Sequence, residues 1–145
     1  MQQSHDGPGP AVPMRQPATP VWRRQPGMTA AALVCAASML MLGVWAYATP
    51  VSFSHFIDYA PYNRHLIHDA GAFQIGIGAA TLLALVCPDA LLVALTGFTV
   101  ASGLHTLSHY TDRHIGGHGS DVPVLGLLTL AGLYAIYARI RGRKA

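Results

Sequence analysis

Eight histidines and six aspartates carry most of the metal-binding and proton-handling capacity of this chain, which contains no glutamate at all. His105 and His109 stand four apart, as do His65 and Asp69, with His68 between the latter two. On a helix, residues spaced three or four apart share one face. Two neutral imidazoles so placed can chelate an ion, and His65, His68 or Asp69 could complete a tetrahedral set with His105 and His109 for Zn²⁺ or a comparable divalent metal. A pair such as His68 and His105 could instead ligate a haem between two helices, although no attachment motif or wide aromatic pocket accompanies it. The plainest use of the same residues is structural, because polar groups at the ends of membrane spans cap helices and sit among lipid headgroups. Asp69 resists that use, since a carboxylate one turn inside a span is costly unless paired, here with Arg64 or a neighbouring histidine.

The elements that must position these residues are apolar. Hydrophobic residues make up 52% of the 145 and charged residues only 10%, whereas an ordinary soluble domain is about one quarter charged. From Met28 to Thr49 no charge occurs, enough at about 1.5 Å per residue to cross a hydrocarbon core of about 30 Å. Thr49-Pro50 closes this first span, and 51–64 reads as a mixed loop. A second span runs from about Leu66 to Val86, Cys87-Pro88-Asp89 turns the chain, a third covers Ala90 to about Leu107, and a fourth goes from Val122 to Ala138. Short connections between four spans predict an all-α, integral-membrane, antiparallel four-helix bundle over residues 28–138. Residues 1–27, with runs such as Gly7-Pro8-Gly9-Pro10, read as a disordered Pro/Gly-rich tail, and 139–145 as a basic one.

Seven of the nine basic residues flank this domain, at Arg15, Arg23, Arg24, Arg139, Arg141, Arg143 and Lys144. Loops and tails rich in Lys and Arg stay in the cytoplasm, so an even number of spans predicts a multi-pass protein of the cytoplasmic membrane with both termini inside. The basic flanks thus speak for topology and contact with anionic lipid, and no nucleic-acid partner is expected. A competing reading makes the first span a signal peptide cleaved after Ala46-Tyr47-Ala48, but its apolar run is longer than a usual signal core. With the predicted topology, every histidine except His5 falls on the outer side. The inner halves of the spans hold no ionisable residue, which speaks against a continuous proton path through the membrane.

Within the second span, Ala72, Gly76 and Ala80 continue the face of His65 and Asp69 inward. Gly97 and Ala101 do the same below His105, beside Ser102. Small residues four apart let membrane helices approach closely, so the simplest expected packing joins these two faces and gathers His65, Asp69, His105 and His109 at one depth. Gln74, in mid-span, needs a hydrogen-bond partner, on another helix, where it would act as structural glue, or in a polar cavity. Cys35 and Cys87 lie far apart in apolar surroundings, which excludes a disulfide scaffold, a Cys-x-x-Cys redox pair and a Cys₄ zinc site. Gly-x-Ser-x-Gly, Walker and glutamate-containing zincin patterns are absent, which argues against the familiar membrane hydrolases and NTPases.

The stretch from Tyr62 to Gly78 contains Asn63, His65, Asp69 and Gly71 in the order Asn-x-His-x₃-Asp-x-Gly, and the third span then ends in His105 and His109. It resembles small bacterial four-span membrane proteins that carry this pattern, over about residues 60–138. The resemblance implies a four-span domain and adds weight to those four positions, but it names no activity. The expectation is therefore a structural or accessory membrane subunit, in contact with the bilayer and with a membrane-protein partner or a second copy. A metal-binding protein or metal-dependent enzyme is the alternative, and a bis-histidine haem protein a more distant one.

Overall fold

The computed structural model describes residues 21–115 and 117–143, and these form helices and turns with no strand among them. The first twenty residues of the expected disordered tail lie outside the described residues. Its last seven are largely helical: α1 spans Val21–Arg24, and α2 spans Pro26–Ala48. α3 (Pro50–Phe56), α4 (Arg64–Ala84), α5 (Pro88–Thr111) and α6 (Asp121–Arg141) follow. α2, α4, α5 from Ala90 onward, and α6 are each long and apolar enough to cross a membrane. Prolines open α2, α3 and α5, at a position where the missing N–H has no helical partner to lose.

The α3 helix lies inside the stretch expected to be a loop. It folds back on α2 because Trp45 stacks at 5.6 Å on Phe53 and 4.7 Å on Phe56, while its Nε1–H donates to Ser52 Oγ at 3.3 Å. Its end is a Schellman turn: the Tyr59 N–H reaches Ser54 O, the Asp58 N–H reaches His55 O, and Asp58 holds the required left-handed conformation at φ 52°. Aspartate tolerates that conformation better than most residues do. The spacing of Thr49-Pro50 marks the end of α2 correctly. It does not show that the proline also starts a new helix.

The principal seam joins α2 to α4. The α4 residues that face it are Ile67, Gly71, Gln74, Gly78 and Thr81, of which all but Gln74 are buried. They alternate four and three apart, the repeat of helices that wrap around each other. At Gly43 of α2, a side chain would collide with Gly71 O and Ile75 N, each about 2.9 Å or less from the Cβ position, and at Gly71 it would collide with Gly43 O at 2.8 Å. Gly78 similarly sits on Ala36 O and Leu40. The packed stripe is thus not the expected one. Ala72, Gly76 and Ala80 are exposed, and a Cβ at Gly76 or Gly97 would meet no atom of another helix within 4 Å. A strict four-residue spacing drifts around a helix of 3.6 residues per turn, whereas alternating four and three keeps to one side. Gln74 lies in the seam beside Gly43, but its Oε1 is buried and accepts no hydrogen bond, so the expected bond across helices is not made.

Two apolar clusters draw in the other helices. Met28, Ala32, Ala84, Leu85, Leu91, Leu95 and Ala135 bring together the start of α2, the end of α4, the start of α5 and the end of α6. Cys35, Met39 and Phe98 continue this core, with Ile77, Leu128 and Ala131 packed on it. A third cluster, Ala46, Phe53 and Ile67, contains α2, α3 and α4 but nothing from α5 or α6. Arg139, assigned from sequence to the basic tail, is buried in the last turn of α6. The seam can be tested by comparing two glycines on α4. Gly71→Val should destabilise the detergent-solubilised protein by about 1–3 kcal/mol through overpacking, whereas Gly76→Val should fall within about 0.5 kcal/mol of the parent. Thermal unfolding followed by tryptophan fluorescence measures both, and equal losses would mean that the other face is packed.

Candidate functional site

The Asn-x-His-x₃-Asp-x-Gly pattern builds the start of α4. Asn63 is the N-cap, its side-chain oxygen accepting the Leu66 N–H at 3.1 Å, which satisfies one of the donors that every helix start leaves open. One turn on, His65 Nε2 lies 3.3 Å from Asp69 Oδ2, the partner that the carboxylate was expected to need. Both side chains are largely in the open, at 87% and 51% exposure, and a pair so exposed contributes little stability. Gly71 then seats the helix on α2 through its contact with Gly43. His68 faces away from this pair and stacks on Tyr47 of α2 with ring centres 5.1 Å apart. Arg64, the other candidate partner of Asp69, donates from Nε to Tyr62 Oη at 3.5 Å.

The second polar group is at the far end of α5. His105 and His109 meet edge to face, with ring centres 4.7 Å apart. His109 Nδ1 lies 3.4 Å from Asp121 Oδ2, and the same oxygen accepts the His118 N–H at 2.7 Å. Asp121 opens α6, so one carboxylate ties together the end of α5, the connecting loop and the first turn of α6. Gly117 covers the contact at φ 85°, where a Cβ would come within 2.8 Å of Asp121 Oδ2 and 3.6 Å of His109 Nδ1. Glycine is required here on both counts. At 29% and 23% exposure, the His109–Asp121 contact is far better shielded than its counterpart on α4.

Below it, hydroxyls join α5 to α6. Thr129 Oγ1 lies 3.0 Å from Ser102 Oγ and 3.2 Å from Thr106 Oγ1, and deeper still Thr99 packs against Gly132. Each threonine also donates to a carbonyl of its own helix, so the hydroxyls carry no unmet donor into an apolar setting. Sequence reasoning missed this ladder. Its signal is the run Thr99, Ser102, Thr106 and His109 at steps of three and four, which also marks the face of α5 turned toward α6.

The five residues expected to share a metal thus fall into two groups. His65, His68 and Asp69 stand with α2 and α4, and His105 and His109 with α6. No hydrogen bond, ion pair or ring contact joins one group to the other. Among the described residues, no three His, Cys, Asp or Glu side chains are arranged to hold a metal ion. Compared with known proteins, the chain matches no family model, and no curated protein or solved structure matches it significantly.

The two carboxylates should therefore differ in what they hold together. Asp121→Ala should cost about 1–3 kcal/mol, because it leaves the His118 N–H and His109 without their charged partner. Asp69→Ala should cost less than about 1 kcal/mol. Thermal melts of the two variants in one detergent compare them, and the assignment fails if Asp69→Ala proves the more damaging.

Proposed function

We propose that the chain is an integral protein of the cytoplasmic membrane, an antiparallel four-helix bundle with both termini inside, serving as a structural or accessory subunit. Membrane insertion is supported by the outward faces of the long helices. Phe73 and Val93 are each 74% exposed, with Met41, Leu104, Leu127 and Leu130 also exposed, and water does not tolerate so continuous an apolar surface. Aromatic and basic residues gather where the core cluster ends, with Arg23 over Trp22 and Arg141 over Tyr137, as expected at a lipid–water boundary on the cytoplasmic side.

The observation that carries the accessory role is the free small-residue face. Ala72, Gly76 and Ala80 on α4, and Gly97 on α5, are exposed, and a Cβ at either glycine would meet no atom of another helix within 4 Å. The chain's own seams use Gly43, Gly71 and Gly78, so these other small residues do no packing work inside the molecule. In a membrane, such a face allows close approach by the helix of a second protein or a second copy.

Two measurements test the proposal. A photo-crosslinking side chain at position 76 or 97 should give adducts in native membranes well above those from position 127 on α6, with adduct size separating a second copy from another membrane protein. Equal yields at 76, 97 and 127 would remove the argument for a subunit interface. For topology, cysteines introduced at positions 58 and 114 in a Cys87→Ala background should react with an impermeant maleimide in intact cells, and one at 143 should not. Labelling at 143 would reverse the orientation.

A further inference from the structure

We infer that the α5–α6 end carries a divalent-metal site, in which His105 and His109 supply two imidazole nitrogens and Asp121 orients His109 from behind. The spacing of the rings is the first support. Two imidazoles bound to one ion at about 2.0–2.1 Å and a near-tetrahedral angle have ring centres about 5 Å apart, and those of His105 and His109 are 4.7 Å apart. That separation is compatible with both rings binding one ion.

The second support is the use of the nitrogens. Nδ1 of His109 faces Asp121, which leaves Nε2 as its ligand atom. A carboxylate behind a ligating imidazole fixes the tautomer, holds the ring and raises its basicity. Asp121 is itself held, through the His118 N–H and under the close cover of Gly117, so the ring is aimed before any ion arrives. The α4 group lacks these features. His65 is 87% exposed with Asp69 as its contact, and His68 is stacked on Tyr47.

Two nitrogen ligands from the protein leave the remaining positions open to water or to a small anionic or neutral ligand. Imidazole donors favour Cu²⁺, Ni²⁺ and Zn²⁺, with Cu²⁺ bound most tightly in the usual order of divalent ions. This site is independent of the subunit role, because the small-residue faces of α4 and α5 take no part in it.

The test is titration of the full-length, detergent-purified protein, carried without a polyhistidine tag and with His5→Ala as the common background, using Cu²⁺ and Zn²⁺ as probes. One equivalent of either ion should bind. His105→Ala and His109→Ala should each weaken binding at least about tenfold, Asp121→Asn should weaken it about 10–100-fold, and His65→Ala, His68→Ala and His118→Ala should leave it unchanged. Nitrogen hyperfine structure in the Cu²⁺ electron paramagnetic resonance spectrum should indicate two imidazoles in the parent and one in either α5 variant. Circular dichroism of each variant separates lost binding from lost folding, and His109→Gln repeats the test with a milder change. Unchanged affinity in both α5 variants, or losses as large from His65→Ala or His68→Ala, would refute the site. Unchanged affinity in Asp121→Asn would refute the orienting role.

Discussion

The contact between Gly43 and Gly71 sets the geometry on which the rest of the molecule depends. With a carbonyl of each helix less than 3 Å from where the other's Cβ would be, α2 and α4 approach backbone to backbone, and no side chain larger than hydrogen fits at the crossing. In lipid, close packing of this kind replaces the hydrophobic driving force that a soluble bundle would use. Once α4 is seated, Ile67 closes on Ala46 and Phe53 at one end of the seam. At the other, Ala84 and Leu85 deliver the chain to α5. The turn at Pro88 and the core around Leu91, Leu95 and Phe98 follow from that placement.

The second half of the molecule is joined by a different interaction. α5 and α6 meet through Ser102, Thr106 and Thr129: the two threonine hydroxyls donate to carbonyls of their own helices, and that of Ser102 reaches Thr129 Oγ1. Hydroxyls can be carried into an apolar region in this way, but a free carboxylate cannot. The two aspartates nearest these helix ends, Asp69 and Asp121, each have a histidine beside them. Only Asp121 also holds backbone, through the His118 N–H, and that contact distinguishes a half-buried, preset arrangement from the open His65–Asp69 pair.

The short pattern at the start of α4 illustrates how local chemistry and packing can occupy neighbouring positions. Asn63 caps, His65 and Asp69 pair across one turn, and Gly71 makes the crossing. Two of the four residues, Asn63 and Gly71, set the start and the seating of the helix. The histidines that meet each other belong to a different helix, where no comparable sequence pattern points to Asp121, because it lies twelve positions further along the chain than His109.

Composition and periodicity determined the helical class, the four long apolar segments and their approximate ends, since charge-free runs of that length leave few alternatives. Proline marked the breaks at 50 and 88 for the same local reason. The need of Asp69 for a partner was also legible, with Arg64 and the neighbouring histidines as candidates, of which His65 is the one in contact. Tertiary structure decided which face of each span is packed. Ala72, Gly76 and Ala80 compete on equal terms with Gly71 and Gly78 as long as only residue size is considered, and the choice depends on where Gly43 lies on α2. It also decided that α3 is a helix, through Trp45, and that the histidines divide between two helix pairs. Such contacts join residues distant in the chain, and a one-residue difference in the face chosen, about 100° around a helix, redirects every side chain on it.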